Sequence, residues 1–168
     1  MPTFTCRIPL PDIPYWAKRY VEELRDDDPE WVVVGEVAAG VQRDGEYTRA
    51  DFLTVANWKL QAFLPRFPGL FQNLEANSED EIAKATREAL AADTPEAIRV
   101  EGLVTLSGVG VSVAFALLHV GTLHREAPYP MLDQRALWSL SCTPPSTYPF
   151  NFWWPYVQFC CQLVACQG

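Results

Sequence analysis

Five consecutive residues, Leu106 to Gly110 (LSGVG), form the stretch of this sequence that most clearly predicts a binding function. Glycine lets a backbone turn where a side chain would clash. The segment that follows, residues 111–120, is almost wholly apolar and too long for a typical strand, so it predicts a buried helix. The open N–H groups at the start of such a helix form a site for an anion, typically a phosphate. We therefore expect Gly108, Val109 and Gly110 to present backbone amides to a phosphate.

Two helices are needed to hold this turn. Residues 97–106 have apolar side chains at roughly helical spacing, at positions 98, 100, 103 and 106. The apolar segment 111–120 supplies the second helix. Two helices joined by the pattern hydrophobic-Gly-hydrophobic-Gly are typical of a helix-hairpin-helix, which we predict at about residues 96–120.

The motif LSGVG, the small-residue apolar helix after it and the later segment PMLDQRALW together resemble the helix-hairpin-helix DNA glycosylase superfamily. The motif of that family reads approximately LPGVGxxTA, and a catalytic aspartate stands beyond the hairpin at the head of the next helix. Asp133 lies 25 positions after Gly108 and matches that aspartate in spacing and context. The resemblance is strong over residues 103–138, and by helix order alone it extends from about 48 to 160. Ser107 replaces the usual proline, and Val113 stands where threonine is common.

The resemblance implies an enzyme that hydrolyses the N-glycosidic bond of a base in DNA, for the purpose of DNA repair. Asp133 would stabilise the positive charge that develops on the sugar and would orient the attacking water. The target nucleotide would leave the base stack and enter a pocket, usually one lined by aromatic rings. No lysine stands at Ser112 or near Glu101, so a Schiff-base lyase step is not expected and the glycosylase would be monofunctional. The candidates for lining the pocket are Trp58, Lys59, Tyr129, Arg135, Trp138 and Trp153.

The same residues also have simpler structural interpretations. Asp133 is a favoured residue for capping a helix over residues 134–140, and a capping role is compatible with a catalytic one. Trp58 can pack in the core while Lys59 extends to solvent, or Lys59 can reach a phosphate or an acidic partner. The alternative function is therefore a non-catalytic helix-hairpin-helix module that binds DNA or a protein.

The formal net charge of −8 opposes nucleic-acid binding, because contacts to phosphates supply most non-specific affinity. The acidic excess lies outside the candidate site. Residues 97–140 carry three arginines (Arg99, Arg125, Arg135) and three carboxylates (Glu101, Glu126, Asp133), which sum to zero. A neutral face neither repels nor strongly attracts DNA.

The five cysteines are an odd number without a framework spacing, which favours reduced thiols in a cytoplasmic protein. The spacing of Cys160, Cys161 and Cys166 does not match the iron–sulfur subgroup of the glycosylases, and two histidines give no zinc motif. No cofactor or metal is therefore expected. The sequence contains no secretory signal and no segment typical of a membrane span.

The rest of the chain predicts further helices. We expect one from Asp12 or Pro14 through Arg25 with Tyr15 and Ala17 facing inward, before the acidic turn 26–28. A buried helix over residues 30–42 is expected to break at Gly40. Helices over 48–62, 78–91 and 152–166, a single short turn over Leu70–Leu74, and caps at Thr48, Ser78 and Thr94 complete the prediction.

These observations predict an all-α fold: one domain over residues 1–168, built around the helix-hairpin-helix and similar to the DNA glycosylases. The loop and helix that carry Asp133 are expected at about 122–141. The last 33 residues, 136–168, contain no charged side chain. The final helix should therefore be apolar most of the way round, either as the centre of the core or as a surface covered by a second copy or a protein partner.

Overall fold

A computed structural model describes residues 2–23, 30, 33–62 and 64–165, and every regular element among them is helical. The predicted all-α class is confirmed for this part of the chain. None of its helices is long and apolar enough to cross a membrane. The bounded elements within the described ranges are a 3₁₀ turn (Leu10–Asp12), a π-helix (Val33–Val37) and the α-helices α1 Ile13–Glu23, α2 Ala38–Asp44, α3 Arg49–Leu60, α4 Pro68–Glu75, α5 Glu79–Leu90, α6 Glu96–Leu103, α7 Val111–Thr122, α8 Gln134–Ser139 and α9 Phe150–Ala165.

The chain divides into two compact units. Residues 29–129 form the continuous unit, which contains α2 to α7. Residues 1–28 and 130–168 form the split unit, which contains α1, α8 and α9. The organisation of residues 1–168 as one domain stays a prediction.

Helix α7 lies at the centre of the continuous unit, where it packs against α2, α3, α5 and α6. All six residues from Val113 to Leu118 are buried, as predicted for this apolar helix. Gly121 allows close packing at its C-terminal end, because a Cβ there would lie 2.8 Å from a methyl group of Leu90. The hydroxyl of buried Tyr47 donates to the carbonyl of Leu117 at 2.7 Å, so the one polar atom of that side chain is satisfied in the core.

Two of the three predicted caps are confirmed. Ser78 forms a full capping box with Glu81 at the start of α5, and the Thr48 hydroxyl accepts from the N–H of Asp51 at 3.1 Å. The prediction at Thr94 was wrong. The α6 cap is Pro95, and the Thr94 hydroxyl instead donates to the carbonyl of Glu88 at 2.6 Å.

Four helix predictions require correction. Tyr15 and Ala17 of α1 are exposed rather than inward, and Gly40 lies inside α2 without breaking it. A glycine can be accommodated within a helix that tertiary packing stabilises. Helix α4 replaces the predicted single turn at 70–74, and α6 ends at Leu103 rather than at Leu106. The predicted acidic turn 26–28, the end of α1 at Arg25 and Cys166 lie outside the described residues.

Helix α9 was expected to be apolar most of the way round, but it has a polar face. Asn151, Gln158 and Gln162 are all exposed and recur at helical spacing, whereas Trp153, Tyr156 and Val157 are buried. The polar side chains on the exposed face are uncharged amides, and Cys161 and Val164 are exposed beside them. The absence of charge in the sequence therefore concealed the fact that this helix has a solvated side.

Candidate functional site

The region predicted to form a helix-hairpin-helix consists of α6, a turn over residues 104–110, which we call the hairpin turn, and α7. Gly108 adopts a left-handed backbone with φ of 75°, and a Cβ at this position would lie 3.0 Å from the backbone nitrogen of Leu74. Both facts require glycine. Gly110 differs, because its φ is −85° and no atom lies within 4 Å of an added Cβ. The expectation that both glycines avoid a clash holds for Gly108 alone.

A buried asparagine from outside the hairpin fixes the turn. The Oδ1 atom of Asn77 accepts from the N–H of Ser107 at 2.7 Å, and its Nδ2 group donates to the carbonyl of Ser107 at 2.9 Å. The same Nδ2 group donates to the carbonyl of Leu74 at 2.9 Å, at the end of α4. The sequence analysis did not identify Asn77. Its only local signal is its place before the Ser78 cap, which indicates a turn and not a contact 30 residues away.

The N-terminus of α7 carries the amides that were expected to bind an anion. Gly110 is exposed, while Val111 and Ser112 are half-buried, and the N–H groups of these three residues have no acceptor within the described residues. The N–H of Val109 donates to the carbonyl of Leu106 at 3.1 Å and is used inside the turn. The N–H of Gly108 also has no acceptor within the described residues, so of the three amides expected at residues 108–110 only that of Val109 is used inside the turn.

Asp133, in the split unit, caps α8. Its Oδ1 atom accepts from the N–H of Ala136 at 2.7 Å, which confirms the capping interpretation. Its Oδ2 atom has no hydrogen-bond donor among the described residues, and the side chain is half-buried. Burial and the negative charge of Asp133 both raise the pKa of Tyr148. One carboxylate oxygen is therefore used structurally and the other is available.

The remaining candidates for a pocket occupy different environments. Trp153 is completely buried in the split unit, whereas Trp138 is 64% exposed and Arg135 is exposed on the same helix, α8. Trp58 and Lys59 are half-buried on α3 of the continuous unit. Complete burial makes Trp153 a core residue, and the half-burial of Trp58 and Lys59 agrees with packing of their apolar parts.

Tyr129 ends the continuous unit and is fixed at three points. Its hydroxyl donates to the carboxylate of Glu96, and its N–H donates to the hydroxyl of Thr122 at 3.0 Å. Its carbonyl lies 2.6 Å from Nδ1 of His119, and because a carbonyl can only accept, the proton is on Nδ1. Burial and the bond to Glu96 raise the pKa of the Tyr129 hydroxyl well above its usual value. These contacts connect Tyr129, in the loop after α7, to α6 through Glu96 and to α7 through His119 and Thr122.

The split unit also contains an open cleft of about 330 Å³ that the sequence analysis did not predict. Its lining combines Arg7, Gln134, Trp138 and residues 141–144. The guanidinium of Arg7 lies over the Trp138 ring, 4.8 Å from the ring centroid, which is within the range of a cation–π contact. Arg7 comes from the N-terminal segment, so no local pattern in the sequence could have joined it to Trp138.

Comparison of the chain with protein-family models, with curated protein sequences and with solved structures finds no match. Among the described residues no group of three or more His, Cys, Asp and Glu side chains is arranged to hold a metal ion.

Proposed function

We propose that this protein binds the phosphate backbone of DNA through its hairpin turn, as a helix-hairpin-helix protein. One observation carries the proposal. The left-handed turn at Gly108 is held by Asn77 and is followed by three amides, at Gly110, Val111 and Ser112, without acceptors in the described chain. Amides at a helix N-terminus, together with the positive end of the helix dipole, favour an anion.

Local charge is compatible with this proposal. Residues 102–118 contain no charged side chain, so nothing within the turn or the first two turns of α7 repels a phosphate. The affinity would come from amides rather than from lysine or arginine. Since the salt dependence of DNA binding reflects the phosphates neutralised by cationic side chains, we expect a shallow slope of log affinity against log salt.

The proposal is tested at Gly110 with two substitutions of nearly equal size. Gly110 has open space around an added Cβ and an ordinary backbone, so both Gly110→Asp and Gly110→Asn should fold. Aspartate and asparagine cap helices about equally well. Only aspartate places a negative charge where the phosphate would bind, so Gly110→Asp should lower the affinity for duplex DNA by about tenfold relative to Gly110→Asn.

Fluorescence anisotropy with a labelled duplex at several salt concentrations measures these affinities, and urea unfolding checks that both variants are equally stable. Equal affinities for the two variants, with wild-type binding intact, would place the DNA contact elsewhere. Failure of the wild type to bind any duplex would reject DNA binding and favour the alternative, a module whose hairpin or α9 face binds a protein or a second copy of the chain.

A catalytic role for Asp133, as a monofunctional glycosylase, is a second candidate function. It is favoured by the Oδ2 atom, which the capping bond to Ala136 leaves available to a sugar cation. Asp133→Asn keeps the cap and removes the charge. It should therefore abolish base release from a modified duplex while DNA binding and folding persist. Base release by wild type and variant at the same rate would exclude this role, as would the absence of release by the wild type across a panel of damaged bases.

A further inference from the structure

We propose that the cleft of the split unit binds a phosphate monoester that carries a flat ring, as in a nucleoside monophosphate. This inference is independent of the hairpin and of its proposed DNA binding. It depends on four features of the cleft: an arginine whose main chain is held by hydrogen bonds, an exposed aromatic ring, several side-chain donors without a partner in the described chain, and a serine in an unfavourable backbone conformation.

Hydrogen bonds of the backbone hold the main chain at Arg7 in place. The N–H groups of Thr5 and Arg7 donate to the carbonyls of Leu140 and Ser139, at 2.9 and 2.8 Å, so the N-terminal segment is fastened to the end of α8. The guanidinium over the ring of Trp138 makes no ion pair with any carboxylate among the described residues. No carboxylate in the described part of the chain lines the cleft. The exposed guanidinium of Arg7 is therefore not neutralised by an ion pair and can bind an anion.

Three further polar side chains face the same cleft. They are the amide of Gln134 and the hydroxyls of Ser141 and Thr143, and none of them has a hydrogen-bond partner in the described part of the chain. Together with the forked N–H groups of Arg7, these donors exceed what the two oxygens of a carboxylate can accept. The three terminal oxygens of a phosphate monoester match them better.

Ser141 occupies a position that normally favours glycine. Helix α8 ends in a Schellman motif, in which Cys142 N–H donates to the carbonyl of Leu137 at 2.9 Å and Ser141 N–H donates to that of Trp138 at 3.1 Å. The residue between these bonds, Ser141, has φ of 52°. The Schellman motif accounts for the left-handed backbone, but glycine is the usual residue there, and a non-glycine residue in this conformation is an outlier of the kind that also occurs at ligand sites.

The ring of Trp138 is the reason for proposing a flat ring as the second part of the ligand. It is 64% exposed, so most of its surface is open beside the arginine. A base or another flat ring can stack on such a surface without sequence preference. The cleft volume of about 330 Å³ is at the small end of ligand sites, which suits one nucleotide rather than a longer segment.

Titration calorimetry with adenosine 5′-monophosphate tests the proposal on the full chain. The wild type should bind it about tenfold more tightly than adenosine, because adenosine lacks the phosphate. Arg7→Gln should weaken binding by about tenfold, whereas Arg43→Gln, which changes the net charge equally at an exposed arginine of the other unit, should not change it. Ser141→Gly should weaken binding about threefold through loss of one hydroxyl donor.

A 5′-phosphorylated oligonucleotide separates two sources of the same chemical group. If it competes with adenosine 5′-monophosphate and its unphosphorylated counterpart does not, the natural ligand includes strand ends. If neither competes, the ligand is a free nucleotide. Absence of wild-type binding to adenosine 5′-monophosphate overturns the proposal. Binding that is unchanged in both Arg7→Gln and Ser141→Gly overturns it as well, because the nucleotide would then occupy another surface.

Discussion

Two left-handed residues, Gly108 and Ser141, follow helices in the two units and show opposite relations between sequence and backbone. At Gly108 the φ of 75° is accompanied by close packing, because an added Cβ would lie only 3.0 Å from the backbone nitrogen of Leu74. At Ser141 a similar φ of 52° is adopted by a residue whose side chain is exposed and faces a cleft. Packing therefore explains the glycine of the hairpin. The left-handed backbone at Ser141 closes the end of α8, and we attribute the choice of serine over glycine there to the proposed ligand.

The two turns also differ in the contacts that hold them in place. The hairpin turn is clamped by Asn77, a buried side chain from a distant part of the sequence. The turn at Ser141 is closed by the bonds of its own helix end and by the N-terminal segment at Leu140. A turn that is clamped by tertiary contacts should tolerate few substitutions, whereas a turn closed locally should tolerate several.

The largest effect is expected for Gly108→Ala. The left-handed backbone costs alanine about 1–2 kcal/mol, and displacement of Leu74 by the new methyl group adds about 1–2 kcal/mol, so the free energy of unfolding should fall by about 3 kcal/mol. Urea unfolding monitored by circular dichroism measures the change. Gly110→Ala is the matched control, because it has an ordinary φ and open space around its Cβ. Equal stabilities of the two variants would contradict the distinction drawn between these glycines.

Asn77→Ala should have an intermediate effect. The substitution removes both bonds to Ser107 and the bond to Leu74, which should lower the free energy of unfolding by about 2 kcal/mol, since water can partly replace the lost partners of exposed Ser107. Hydrogen exchange should also accelerate at the amide of Ser107. Asn73→Ala, at an exposed position on α4, provides the comparison. An exchange rate at Ser107 that does not change would mean that the clamp is not what holds the turn.

Ser141→Gly should have the smallest effect and the opposite sign. Relief of the left-handed backbone gains about 1 kcal/mol, and the greater freedom of glycine in the unfolded chain offsets about 0.5 kcal/mol of that gain. The variant should therefore be about 0.5 kcal/mol more stable than the wild type while it binds the nucleotide less well. A loss of stability, measured by the same unfolding experiment, would show that the hydroxyl of Ser141 is structural.

Sequence reasoning succeeded where the determining contacts are local. The apolar run of α7, the capping box at Ser78 and the cap by Asp133 each depend on residues within one turn of a helix, and all three are present. It failed at Thr94 because proline at position 95 takes the capping position, and at Gly40 because packing of α2 outweighs a weak propensity.

The parts of both candidate sites that were missed depend on contacts between distant residues. Asn77 reaches Ser107 across 30 positions, and Arg7 reaches Trp138 from the other end of the chain. Period and spacing contain no information about such pairs. The roles proposed for Asp133 and for Trp58, Lys59, Tyr129, Arg135 and Trp138 as parts of one catalytic site stay predictions.

The division into a continuous and a split unit has a consequence for the order in which the protein forms during synthesis. Residues 29–129 are consecutive and form a compact unit, so this unit can begin to pack while the later residues are still being added. Residues 4–7 cannot complete their packing at that stage. Phe4 packs against Phe152, Tyr156 and Phe159, and Thr5 and Arg7 need the carbonyls of Leu140 and Ser139. These residues can therefore reach their places only after residues 139–159 have been added, although they are synthesised more than 130 positions earlier.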